Sequence, residues 1–329
     1  MSLSQSELTK FGITPEDERP HPFSPDHEAW NESYFFDWID RSGEPAGHLR
    51  VGWHPNQDRW WLWFMLWNGS EWAVVEQPRL PLSSLRIPDL VYEGWGLSFS
   101  YEVGEPLRSG RLRCSGFARV VSGRRSGFVL PASVDLDVAA VGAAHSGGPS
   151  EVPGHSAGGY EANRFEQPIT VTGTGRLGDD SFALDGRGER DHSWGPRDWN
   201  LEWLFVVLHG DYLRMQWARA EVPGVGIFTV GYLHRRDSVA ITEVEDDIAF
   251  DDDDVLHPAA GTFRATAEDG TVVSGRLASV TGTEVDITHA FTPPRPTVYR
   301  RALVRFTPDD GSPPTTGWLE SNRFARGSG

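Results

Sequence analysis

His48-Leu49-Arg50-Val51-Gly52-Trp53-His54-Pro55-Asn56-Gln57-Asp58-Arg59-Trp60-Trp61-Leu62-Trp63-Phe64-Met65-Leu66-Trp67 is the stretch that decides the fold class. Leu49, Val51 and Trp53 alternate with His48, Arg50 and Gly52, the period of two that a pleated strand imposes. His54 to Arg59 has the composition of a turn. Trp60 to Trp67 is an unbroken apolar run, too short for a core helix and rich in aromatics, which predicts a strand buried on both faces.

The same period continues outward. Leu97 to Val103, Arg111 to Phe117 and Val134 to Val138 alternate, as do Ile169 to Gly173, Phe182 to Gly186 and Leu213 to Trp217. Ile227 to Tyr232, Val239 to Val244, Thr262 to Thr266, Val272 to Leu277 and Val298 to Phe306 follow. No segment carries a long amphipathic helical pattern, and 36 Gly with 23 Pro suit many short strands joined by turns. The expectation is an all-β chain whose antiparallel strands close into barrels or stack as sandwiches, because open edges must be protected.

Residues 1–27 are polar and Pro-rich and read as an extended N-terminal arm. Residues 142–159 are rich in Gly, Ser, Pro and Ala and read as a loop or linker. Glu161-Ala162-Asn163-Arg164-Phe165 is echoed by Glu320-Ser321-Asn322-Arg323-Phe324. That echo suggests an internal duplication, each copy closing one domain, with domains at 28–165 and 166–329.

Composition narrows the function. With 329 residues and 38% hydrophobic content, including 14 Trp, the chain can fill two cores and still line a ligand cavity. A formal charge of −17 argues against nucleic acid and anionic membranes as partners. The single cysteine, Cys114, lies in an alternating segment and reads as core. The N-terminus lacks the basic-then-apolar order of a signal peptide, and no apolar run approaches the ~18 residues of a membrane helix. A reducing cytoplasm is the expected location. The oligomeric state is not legible.

The densest polar and aromatic segment is Gly186-Arg187-Gly188-Glu189-Arg190-Asp191-His192-Ser193-Trp194-Gly195-Pro196-Arg197-Asp198-Trp199. In an extended chain Asp191, Ser193 and Gly195 share one face and Arg190, His192 and Trp194 the other, until Gly195-Pro196 breaks the strand. A histidine titrating near neutrality can donate, accept or orient a proton. The plain structural alternative is an Arg/Asp network clamping two domains together. Other candidates are weaker. Asp251-Asp252-Asp253-Asp254 has the look of a metal–diphosphate motif, but that chemistry uses an α-helical fold, so it reads as a solvated loop. No His pair has metal-ligand spacing, and adjacent residues do not converge as a Ser-His-Asp triad.

Gly188-x-Arg190-Asp191-His192-Ser193-Trp194-Gly195-x-Arg197-Asp198-Trp199 resembles the signature of the carotenoid hydratase (hydroxyneurosporene synthase) and kievitone hydratase superfamily, which includes relatives of fungal Diels–Alder cyclases. Asn31 to Trp38, Gly52 to Gln57 and Glu166-Gln167-Pro168 are similar to an uncharacterised actinobacterial branch of it. The resemblance implies tandem lipocalin-like domains holding a hydrophobic ligand near their junction, and addition of water to an isoprenoid double bond. It implies functional roles for His192 and Trp194. The hydratases also use a Tyr and an Asp from a later strand, but Met215 to Glu221 contains no Tyr-x-Asp.

Protonating an alkene requires an acid kept protonated by an apolar pocket, and π faces for the resulting cation. The expectation is therefore a hydro-lyase or isomerase for a terpenoid, steroid or polyketide-like alkene. It would work without cofactor or metal, with His192, Asp191, Trp194 and Asp198 catalytic. Trp199, Trp203, Arg197, Arg190, Trp217, Tyr34, Trp38 and His54 are the candidate substrate contacts. A carrier of a hydrophobic ligand and a pericyclic cyclase are the alternatives.

Overall fold

In a computed structural model, residues 3–82, 85–86, 90–146, 163–197, 199, 201–222, 226–290 and 296–324 are described. Contacts divide the chain into two units, residues 1–198 and 199–329.

The first unit contains β1 (Trp30–Asp40), β2 (Ala46–His54), β3 (Arg59–Trp67), β4 (Trp72–Leu80), β5 (Leu85–Arg86) and β6 (Val91–Gly94). It continues with β7 (Leu97–Val103), β8 (Ser109–Val120), β9 (Val129–Ala140), β10 (His145–Ser146), β11 (Asn163–Leu177) and β12 (Asp180–Pro196). The stretch quoted at the outset is β2, a 3₁₀ turn at Pro55–Gln57 and β3, paired with Trp53 opposite Trp60. Asp58 closes that turn in the left-handed region, φ 50°.

Hydrogen bonding runs β11–β12–β1–β2–β3–β4–β8–β9 and returns to β11, a closed antiparallel barrel of eight strands. Tyr34, Phe36, Trp38, Leu49, Val51, Trp60, Leu62 and Phe64 fill its interior. Each fully buried side chain of this size is worth roughly 1.5–3 kcal/mol. Trp38 packs against Gly47, where a Cβ would stand 2.3 Å from its ring. The outward residues of the same strands, Phe35, Asp37, His48, Arg50, Trp61 and Trp63, are buried as well. The expectation of a strand buried on both faces therefore holds for β3.

The N-terminal arm is more than an extended tail. Ser4 caps a single helical turn, Gln5–Leu8, and Pro15–Glu18 forms a 3₁₀ turn. Leu8 and Ile13 are buried against Leu107, Ala144, Phe165 and Trp194.

The second unit contains β13 (Glu202–His209), β14 (Arg214–Val222), β15 (Gly226–His234), β16 (Ser238–Asp246) and β17 (Ala249–Phe250). β18 (Ala259–Ala267), β19 (Val272–Val285), β20 (Thr297–Pro308) and β21 (Thr315–Phe324) complete it. Pairing runs β16–β15–β14–β13–β21–β20–β19–β18 and closes from β18 to β16. Its core is apolar, with Leu204, Val206, Leu208, Met215, Trp217, Phe263, Val304 and Phe306.

The sequence therefore builds two lipocalin-like β units, as expected, but divides later than expected. β11 and β12 pair with β9 and β1, so residues 163–196 belong to the first barrel rather than opening the second. The sequence echo does not mark equivalent positions, since Asn163-Arg164-Phe165 begins β11 and Asn322-Arg323-Phe324 ends β21. Most of the expected linker, residues 147–159, and Glu161-Ala162 of the echo lie outside the described residues. No described helix is long and apolar enough to cross a membrane.

Candidate functional site

The motif segment is the end of β12. Strand alternation turns Arg190, His192 and Trp194 inward, opposite Phe36, Tyr34 and Glu32 of β1. Ser193 faces the other way and hydrogen-bonds Ser33 at 2.8 Å. Gly195, at φ 118°, and Pro196 then end the strand, because no ordinary side chain favours that dihedral and proline cannot donate to the ladder.

His192 is held on every side. Its Nδ1 lies 2.8 Å from the backbone carbonyl of Asp17, and its Nε2 lies 2.9 Å from Glu32 Oε1. A carbonyl and a carboxylate are both acceptors, so each ring nitrogen faces a group to which it can donate. The Tyr34 ring stacks on the imidazole with centroids 4.1 Å apart, and Trp194 lies 5.0 Å away, tilted. Glu32, 1% exposed, also accepts from His21 Nδ1 at 2.9 Å and from the His21 backbone N–H at 3.0 Å. Burial pushes the Glu32 carboxyl up, but the donors of His192 and His21 outweigh it and hold the group below its ordinary value, so it is a carboxylate. His21 in turn stacks on Trp194 at 3.9 Å, nearly parallel.

Further into the barrel, Arg190 forks onto Glu18, with Nη1 to Oε1 at 2.5 Å and Nη2 to Oε2 at 2.7 Å. Tyr101 Oη accepts from Arg190 at 2.8 Å, and Gln167 Oε1 accepts from Nε at 2.9 Å. The Leu107 N–H donates to Glu18 at 2.9 Å. Burial raises the Glu18 carboxyl, and Arg190 more than reverses this, so the net shift is downward. The Tyr34 hydroxyl lies buried among these groups with no hydrogen-bond partner among the described residues. Burial, then the Glu32 and Glu18 carboxylates, push its ionisation well up, so it stays a neutral phenol.

Of the residues expected from sequence, His192, Trp194, Arg190 and Tyr34 come together inside the first barrel. Asp191 and His54 of the same unit do not join them. Asp191 is on the opposite face, ion-paired to Arg164, and does not orient His192. Glu32 takes that part, because Asp191 is one residue out of phase. Asp198 lies outside the described residues. His54 is at the outer face of β2, tilted against Trp61 at 6.1 Å. Trp38 is core, and Trp217 is core of the second barrel, 5.5 Å from Phe263. Arg197 follows β12 and is fixed through its backbone N–H to Ala29. Trp199 and Trp203 belong to the second unit, 5.8 Å apart, with Trp203 donating to Glu320 at 2.8 Å.

Four residues escaped the sequence reading: Glu18, His21, Glu32 and Tyr101. Glu32 carried a usable signal, since it shares a face with Tyr34, Phe36 and Trp38 in a strand that is otherwise aromatic there. Glu18 and His21 carried none, because an arm shows no period. A cavity of about 620 Å³ in this unit is lined by Arg113, Cys114, Arg176 and Phe182. Phe182 is ten residues from His192 on β12, roughly 33 Å along a strand, so this cavity is not at the motif. His21, Glu32 and His192 also place three ligand-type atoms within 4.8 Å of one another. The 2.9 Å separations about Glu32 Oε1 are those of N–H···O bonds.

A family model described as a domain of unknown function, DUF7064, matches residues 14–325. The chain belongs to this family. No curated protein matches it by sequence. Among solved structures it is similar to a protein assigned as AttH from Nitrosomonas europaea, with 13% identity, TM-score 0.64, and 99% of this chain and 100% of that one covered. It is similar to CghA bound to Sch210972, with 13% identity, TM-score 0.55, and 100% and 98% covered. It is also similar to kievitone hydratase from Nectria haematococca, with 11% identity, TM-score 0.55, and 97% of each chain covered. This DUF7064 member thus shares its fold with these three solved structures.

Proposed function

We propose that this DUF7064 protein is a hydratase-like enzyme, a hydro-lyase or isomerase that moves a proton at an activated C=C bond of a hydrophobic small molecule. The observation that carries the reading is His192, buried in a barrel with Nδ1 on the Asp17 carbonyl and Nε2 on the Glu32 carboxylate. Glu32 holds the imidazolium by Nε2 as a carboxylate holds histidine in a catalytic triad. The Nδ1 hydrogen, now on the Asp17 carbonyl, is the one available to a substrate once the arm is displaced. Donating it protonates the alkene carbon and leaves a neutral imidazole, which then accepts a proton from the attacking water. The electron-rich faces of Tyr34 and Trp194 flank the position where positive charge develops, and Trp is the best such face. The unpartnered Tyr34 hydroxyl is a place to hold the water. Neither Asp191 nor any cofactor enters this scheme.

The test is solvent isotope uptake. A panel of hydrophobic alkenes incubated with the protein in D2O is expected to gain deuterium or the elements of water, read by mass spectrometry. His192→Gln is expected to lose about 10²–10⁴-fold in rate while keeping ligand affinity. Tight binding with no exchange and no hydration by the unaltered protein would establish a carrier instead.

A further inference from the structure

The Arg190 cradle is built for a carboxylate, and the group that fills it comes from outside the barrel wall. Arg190 and Gln167 belong to strands of the first barrel, and Tyr101 to β7, which pairs with β8 beside them. Glu18 belongs to the 3₁₀ turn of the arm, yet its side chain is 1% exposed and sits in the fork of Arg190. Taking a carboxylate and a guanidinium out of water costs several kcal/mol per ion, and apolar packing of equal volume commonly does as well. A closing turn does not need this pair to be stable.

The remainder of the arm is apolar where it lies on the barrel. Leu8 and Ile13 cover a floor of Leu107, Ala144, Phe165 and Trp194. Arm and floor therefore present a carboxylate joined to a hydrophobic body, seated on an arginine fork joined to a hydrophobic bed. Tyr34 Oη, buried and unpartnered, points to a polar atom that the arm does not supply. Asp17, next to Glu18, is the residue whose carbonyl occupies Nδ1 of His192. Displacing Glu18 from Arg190 also frees the proton that the proposed reaction uses.

We propose that the first barrel binds a hydrophobic carboxylic acid, whose carboxylate replaces Glu18 on Arg190, and that the arm is a tethered competitor of this ligand. The inference rests on the reading of His192 above and names the substrate class for it. The arm lowers apparent affinity by the fraction of time it is closed.

Decanoate and decanol serve as probes, because they share an apolar body and differ in charge. Binding is followed by tryptophan fluorescence and calorimetry on the full chain, with circular dichroism to confirm folding. Glu18→Gln is expected to bind decanoate at least about tenfold more tightly than the unaltered protein, with no such gain for decanol. Adding Arg190→Met to it is expected to remove the gain. Ile13→Ser loosens the arm without touching the cradle and is expected to shift decanoate affinity the same way. It serves if Glu18→Gln does not fold. Equal affinities in the unaltered and folded variant proteins, or a gain shared by decanol, would overturn the proposal. These outcomes are separable from failure of the catalytic reading. Decanoate binding needs no turnover, and turnover confined to neutral alkenes with unchanged Glu18→Gln binding would keep the hydratase and discard the cradle.

Discussion

The two barrels share one strand order and differ in what they put inside. Each is an eight-stranded antiparallel circuit in which the last strand returns to the first. The second is filled with aliphatic and aromatic side chains from Leu204 to Leu319. The first is filled the same way around Trp38, Phe64 and Leu112, but at the end reached by the arm it buries Glu18, Glu32, Arg190 and His192. Charges are not put inside a barrel to stabilise it, since each must be matched donor for acceptor to break even. The second unit buries Arg300 and Arg301 too, Arg301 on Glu320 at 2.6 Å, so what sets the first barrel apart is that Glu18, Glu32, Arg190 and His192 converge at one end of it.

The comparison breaks most visibly at Arg190. Arg190→Met leaves Glu18 buried without its partner and is expected to cost about 3–5 kcal/mol in denaturant unfolding. Combining it with Glu18→Gln is expected to recover much of that loss, a coupling no apolar pair of the second barrel would show. Leu208→Ala, fully buried in the second barrel, is expected to cost about 2–4 kcal/mol by leaving a cavity, with no change in ligand affinity or in the His192 resonances.

Acid sharpens the contrast through the pH dependence of stability. Burial holds His145 of the first unit down to about 4 from an ordinary 6.5. The unfolded chain protonates it first, so stability present above pH 6.5 is lost as the pH falls towards 4. The slope is at most about 1.4 kcal/mol per pH unit. His145→Asn should flatten this limb of the stability curve. Glu18 and Glu32 stand below their ordinary 4.5, so their contribution is whole above that pH and drains away below it. An unchanged profile in His145→Asn would show that this burial does not persist in solution.

The architecture was legible because period two is local. Every alternating segment read from the sequence lies in a strand except at Leu213, one residue before β14, and Leu97 to Val103 matches β7 end to end. The inward set Arg190, His192 and Trp194 followed from the same parity. What parity cannot report is which distant residue meets that face. Asp191 drew attention as the neighbouring acid, although adjacent strand residues point apart. The carboxylate that does meet His192, Glu32, lies 160 residues away, brought in by β1–β12 pairing. The arm was harder still, since Glu18 sits in a 3₁₀ turn and His21 in irregular backbone, with no repeat to read. The boundary was misplaced because a five-residue echo outweighed the strand count, and eight strands close the first barrel only when β11 and β12 are included.

Long-range proton–nitrogen NMR of the His192 ring tests the central claim most directly. The account predicts hydrogen on both nitrogens in the unaltered protein, with the Nε2 hydrogen shifted downfield by Glu32, and a neutral ring keeping only its Nδ1 hydrogen in Glu32→Gln. A bare Nε2 in the unaltered protein, or spectra indifferent to Glu32→Gln, would contradict it.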